Sequence, residues 1–474
     1  MTQDDVSGNE SRERRSLLAT LLRPKFAIPA ILAGALIGVP FGYRLSRVAG
    51  IPDSGAPFDL EKWGTVAVPS GDNAFDGYRA AALLATDIPA EEDVAFGVVR
   101  EKGWSEATAG LKSWLDTCRP AIPVWLEATA KPELLAIQPK DLHADSFMTL
   151  DVSSIRRMVR VAQAEGLRLE SEGQLEDAWN LHRALFRCSR HASRHGCLID
   201  RLISTSLHSD ASTAIERWSR QSVLTSDQLD AALMTLRNDD SLTAPLSVTL
   251  RSEYFFLNNM LDRSDLAQLF EDHGATGVAN SMRMQKVRLF LRNEPLVGRL
   301  LSKQIYANLL DHVDKPFKDR PAFVSSGGIS VYADPPGEPA NPQRLNSSTL
   351  LRIAGRSTVV TMFFPAISSA LQGFDRERSR QMALETVLAI QSFHRRTRRY
   401  PESLQQLVDA KIVDRIPPDP DSPLGESLRY RKDDESFVVW GVGQNGIDDG
   451  GDVVTIPGRG QSLDVGFKVP VSSE

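Results

Sequence analysis

The feature that most constrains this chain is an uncharged run near its N-terminus, residues 26–43, reading FAIPAILAGALIGVPFGY. About 18 residues rising 1.5 Å each give a helix of ~27 Å, enough for the hydrocarbon core of a bilayer. Pro29, Gly34, Gly38 and Pro40 would weaken a helix in water but are tolerated in membrane helices. Arg12, Arg14, Arg15, Arg23 and Lys25 crowd the N-terminal flank, whereas Arg44 and Arg47 are followed by Asp53, Asp59 and Glu61. This asymmetry makes residues 1–25 a cytoplasmic tail and 26–43 a single transmembrane anchor of the inner (cytoplasmic) membrane, with the bulk of the chain periplasmic. A signal peptide cleaved near Val48-Ala49-Gly50 competes with that reading, and the long stretch ahead of the run opposes it. A buried helix of a globular domain is the other alternative.

The 474 residues suffice for two or three domains with cores of their own. A formal net charge of −6 argues against a general nucleic-acid binder, which needs a basic surface. Three cysteines, Cys118, Cys188 and Cys197, allow one intrachain bridge at most. Residues 73–313 read as an α-helical domain, with helices near 73–86, 104–130, 152–172, 175–194, 198–219 and 226–237 and weaker signals at 247–272 and 277–312. Ile155, Met158, Val159, Ala162, Gly166 and Leu169 share one helix face. Leu175, Ala178, Trp179, His182, Leu185 and Phe186 share the next, with Gly173 at the turn between. Thr225 and Gln228 have capping-box spacing. The pair around Gly173 resembles a tetratricopeptide hairpin, with Gly166, Gly173 and Ala178 at its small-residue positions. The pattern does not recur one period later, so irregular stacked hairpins are expected.

Residues 314–348 are rich in Pro, Gly and Ser and read as a linker, with room for a short strand at 329–332. The apolar stretch 358–371 is too short to span a membrane and reads as a buried helix. Residues 349–474 are expected to form a small α+β module. An amphipathic helix over 376–396 runs into Arg395, Arg396, Arg398 and Arg399 and stops at Tyr400-Pro401. A short helix at 403–409 and strands at 428–430 and 437–441 follow, then the acidic loop GVGQNGIDDGGD over 441–452.

That helix, then RRYPESLQQLV, PPDPDSPLGESLRY and SFVVWGVGQNGIDDGGD, together resemble the globular part of type II secretion major pseudopilins over about 376–455. The resemblance implies a small antiparallel sheet packed on a long helix, and a calcium-binding C-terminal loop. Asp448 and Asp449 match the family's acidic ligand positions, Asn445 stands where an aspartate is common, and Asp452 adds a carboxylate. Closely spaced oxygens on a glycine-rich loop suit calcium, although such turns also form without metal. Because the apolar run lies far upstream, a fused module is implied and not a filament subunit.

Other constellations carry less. Gly441, Gly443 and Gly446 satisfy G-x-G-x-x-G, but Asp448 and Asp449 would repel a pyrophosphate. Cys188, His191 and His195 cluster on one helix face with Cys197 beyond, offering zinc ligands or a Cys188–Cys197 disulfide. Their spacing fits no standard zinc module, and Arg187, Arg190 and Arg194 disfavour a cation. The arginine-rich stretches 156–168 and 187–201 contain interspersed acids and read as solvated faces. The expected class is mainly α: one N-terminal transmembrane helix, an exported α-helical hairpin domain and a small C-terminal α+β pseudopilin-like domain. The expected function is a membrane-anchored, non-enzymatic scaffold with a protein partner in the bacterial cell envelope, tied by resemblance to secretion or pilus machinery. An exported enzyme with its site in the helical domain and a calcium-responsive sensor are the alternatives.

Overall fold

The computed structural model describes residues 38–143, 152–261, 289–337, 341–443, 445–454 and 462–471. After a helix over 38–48 come five short ones: α1 (Leu60–Gly64), α2 (Phe75–Leu83), α3 (Asp93–Lys102), α4 (Ala109–Cys118) and α5 (Ala121–Ala130). The longer α6 (Val152–Ser171), α7 (Leu175–Ala192), α8 (Leu198–Ser219), α9 (Ser226–Asp240), α10 (Leu246–Met260) and α11 (Glu294–Leu310) follow. A hairpin of β1 (Phe323–Ser326) and β2 (Ile329–Tyr332) leads into α12 (Ser347–Ala354) and α13 (Thr358–Thr397). Then come α14 (Gln405–Asp409) and an antiparallel sheet of β3 (Arg429–Lys432), β4 (Ser436–Gly441) and β5 (Val465–Pro470), with β4 central.

Local chemistry sets the element ends. The 104–130 segment breaks at Pro120, which has no N–H with which to continue the hydrogen bonding of α4. Thr225 and Gln228 close the capping box that starts α9. Gly173 takes φ +75°, which lets α6 fold back onto α7.

Helix α13 is 40 residues long and runs unbroken across the gap left between 371 and 376 by the apolar spacing. Its first half contributes Val360, Phe364, Ile367, Leu371 and Phe374 to a core shared with α10, α11 and β2. Its second half contributes Ala383, Leu384, Val387, Leu388 and Phe393 to a core shared with α6–α9. Phe437 and Val439 of β4 and Phe467 and Val469 of β5 join that second core. Burial on several sides offsets the weakness that Pro365 and Gly373 give the isolated helix.

The expected membrane anchor is corrected. Among the described residues no helix is long and apolar enough to cross a membrane. Residues 26–37 of the apolar run, with the tail at 1–25, lie outside the described residues, and 38–43 form the start of a helix over 38–48. The two arginines read as a membrane flank are engaged within the fold. Arg44 donates to Phe290 O and, at 2.9 Å, to Asn293 Oδ1. Arg47 donates to Arg356 O at 3.0 Å and pairs with Glu294 at 3.7 Å. The fold class is therefore mainly α-helical with a small C-terminal sheet. The inner-membrane localisation, the membrane partner and the membrane-anchored envelope scaffold with a protein partner fall with the anchor.

Candidate binding cleft

The cysteine–histidine cluster does not assemble a metal centre. The Tyr78 hydroxyl shares a 2.8 Å hydrogen bond with His191 Nδ1, and His195 Nε2 meets Glu133 at 2.9 Å. Burial pushes the Cys188 thiol up to about 12 and the His191 imidazole down to about 3, so both are neutral at physiological pH. Cys118, Cys188 and Cys197 are all free, which corrects the disulfide alternative. Among the described residues no group of three or more His, Cys, Asp or Glu is placed to hold a metal ion.

In the acidic loop the side chains grip the loop itself. Asp448 Oδ1 accepts from Trp440 Nε1 at 2.9 Å and from the Gly450 N–H at 3.0 Å, while Oδ2 pairs with Arg429 at 3.0 Å. Asn445 Nδ2 donates to Asp449 Oδ2 at 2.7 Å. Asp464, fully buried and absent from the expected set, accepts the N–H groups of Asp449, Gly451 and Asp452 at 3.3, 2.8 and 3.2 Å.

The unexpected site is where α7, α8 and α13 meet. Arg190 in the last turn of α7, Arg201 in the first turn of α8 and Glu377 and Arg378 of α13 line a cavity of about 420 Å³. Arg320, Asp240, Asp314 and Asp375 complete its charged wall. Pro245, Leu246, Val313 and Phe374 supply the apolar part of the lining.

Glu377 is the hub. It accepts from Arg190 Nη1, from Arg201 Nη2 at 3.1 Å and from the Thr205 hydroxyl at 3.1 Å. Burial alone would raise its carboxyl, but Arg201 and Arg190 hold it at about 2, so it is a carboxylate. Arg190 also reaches Asp240 at 2.8 Å, and Arg320 grips Asp375 at 2.8 and 2.9 Å. His208 meets Gln381 at 3.0 Å, and burial with the Arg190 charge keeps its ring neutral, at about 3.

Arg201 breaks the pattern of full pairing. It is 5% exposed, and although Nη2 meets Glu377, its Nε and Nη1 have no hydrogen-bond partner among the described residues. The Phe374 ring centroid lies 5.3 Å from its Cζ. Arg190 Nε is likewise unpartnered, and Arg378 stands exposed at the rim. A buried N–H without an acceptor carries a desolvation penalty of ~1–3 kcal/mol, so several around one cavity call for an acceptor from outside.

A signal for this site existed in the sequence. Arg190 lies four residues after Phe186 and therefore on the apolar stripe of α7, where a solvated arginine does not belong. No family model, curated protein or solved structure matches this chain.

Proposed function

We propose that this chain is a ligand-binding protein that takes a small anion in the cleft between α7, α8 and α13. The observation that carries the reading is the buried Arg201 guanidinium, with Nε and Nη1 unpartnered beside a cavity of about 420 Å³. Binding is favoured over acid–base chemistry because Glu377 stays anionic and His208 neutral across the physiological range. Calorimetric titration of the full chain with phosphate, acetate and larger carboxylates tests it. Arg201→Met keeps the apolar stem and removes the charge, and it should weaken anion binding at least about tenfold, the worth of one charge-assisted hydrogen bond. Arg378→Ala, at the exposed rim, should weaken binding less and leave the fold intact. If no anion binds, or Arg201→Met binds as well as the parent, the reading fails.

The acidic loop serves a different purpose in this reading. Asp448 and Asp464 replace water on the N–H groups of a turn, and Arg429 already neutralises Asp448. Millimolar calcium should leave the melting temperature of the full chain unchanged within about 1 °C. A rise of several degrees would instead mark Asn445, Asp448, Asp449 and Asp452 as calcium ligands.

A further inference from the structure

We propose that the ligand of this cleft is an organic monocarboxylate with an apolar body, its carboxylate on Arg201 and its body against Phe374, Leu246 and Val313. The inference rests on the cleft being an anion site and names the class of anion. Three observations carry it. First, the charge available to a ligand is small. Glu377 is balanced by Arg190 and Arg201, Asp240 by Arg190, and Asp375 by Arg320, so the deep end offers the unpartnered N–H groups of Arg201 and Arg190 and little more. A polyphosphate would be repelled by Asp240, Asp314, Asp375 and Glu377 in the same lining.

Second, the space exceeds what an inorganic anion fills. A cavity of about 420 Å³ falls in the range of sites that hold organic molecules. An isolated phosphate would leave the apolar wall against water. Third, cation and apolar surface are contiguous. Phe374 is 3% exposed and its ring lies 5.3 Å from the Arg201 Cζ. The guanidinium lies over that ring, so a carboxylate accepting from Arg201 sits beside the apolar part of the lining, which also includes Val313 and Leu246.

Calorimetry on the full chain with phosphate, acetate, butyrate, hexanoate, octanoate and octan-1-ol separates the outcomes. Affinity should rise about fourfold per added methylene until the cavity fills, and octan-1-ol should bind far more weakly than octanoate. Arg201→Met should abolish the advantage of octanoate over octan-1-ol. Phe374→Leu and Leu246→Ala should weaken octanoate several-fold and leave acetate unchanged; Leu246 is only half-buried, so that variant keeps the test open if the Phe374 change disturbs folding. If phosphate or acetate binds as tightly as octanoate, the anion cleft stands and the amphiphilic ligand is wrong. If no anion binds, both readings fall. If octanoate binds equally to the parent and all three variants, it sits elsewhere and the proposal is overturned.

Discussion

Replacing Glu377 with alanine should lower the unfolding free energy of the full chain by about 3–5 kcal/mol, because it leaves two buried guanidinium groups facing each other without their shared carboxylate. Arg190 and Arg201 are 1% and 5% exposed, so water reaches them only through the cleft and compensates little. Arg190 retains Asp240, but among the described residues Arg201 has no second acidic side chain in contact. The pKa of the carboxyl leads to a similar size. Held at about 2 against an ordinary value of 4.5, it contributes ~3 kcal/mol at neutral pH. Because this pKa is depressed, the contribution is complete above about pH 4.5 and disappears as pH falls through about 2. Urea unfolding at pH 7 reads the effect as a lower midpoint at unchanged slope. Glu377→Gln keeps the volume and one acceptor and should lose somewhat less. A loss under about 1 kcal/mol for the alanine variant would mean that this network does not fix α13 to α7 and α8.

The helices that depend on their own stripe were legible in the sequence. α6, α7 and α8 lie where apolar spacing placed 152–172, 175–194 and 198–219. What spacing could not show is pairing over long separations. Arg190 and Glu377 are 187 positions apart, so nothing local marks them as partners. The same holds for β5, where Phe467 and Val469 face the core while Lys468 points out. Its partner β4 lies across the acidic loop, and a six-residue strand has no identity until that partner is known. Asp464 carries no local signal for a related reason: it follows the loop that it supports, outside the acidic run at 441–452. Arg44 and Arg47 were misread because flanking charge looks the same whether it meets headgroups or Asn293 and Glu294. Pro365 and Gly373 read as interruptions because intrinsic propensity is local, whereas α13 is held by the two cores on which it packs.

Between about pH 4.5 and 6.5 the stability of the chain should be nearly flat, and below that it should collapse. His191 and His208 are held by burial at about 3, against an ordinary 6.5. Depressed values give stability that is present above pH 6.5 and is lost as pH falls towards 3. Asp421 and Glu253 act in the opposite sense. Burial raises each to about 7, from 3.8 and 4.5, so their contribution is complete below the ordinary carboxyl range and is lost as pH rises through about 7. Within the window the buried histidines, His182 and His195 included, favour proton binding by the unfolded chain, while Asp421 and Glu253, with Glu216, Asp375, Glu385 and Asp419, favour it in the folded chain, so the two sets oppose each other. Below their ordinary values, 4.5 for Glu253 and 3.8 for Asp421, the raised carboxyls are protonated in both states and offset nothing further. Glu170 then joins Glu377: burial would raise it, but His182 and Arg217 hold it at about 2. With four groups protonating preferentially in the unfolded chain, the slope reaches ~5 kcal/mol per pH unit, enough to exhaust a stability of ordinary size within about two units. Urea midpoints at pH 7, 6, 5 and 4 measure the profile, and a steady decline from pH 7 downward would contradict it. Glu253→Gln removes one of the compensating carboxyls, so the plateau should tilt to rise with pH by about 1.4 kcal/mol per unit. A plateau that stayed flat in that variant would show that Glu253 is ionised in the fold and that the acidic end of α8 is more open to water than its burial indicates.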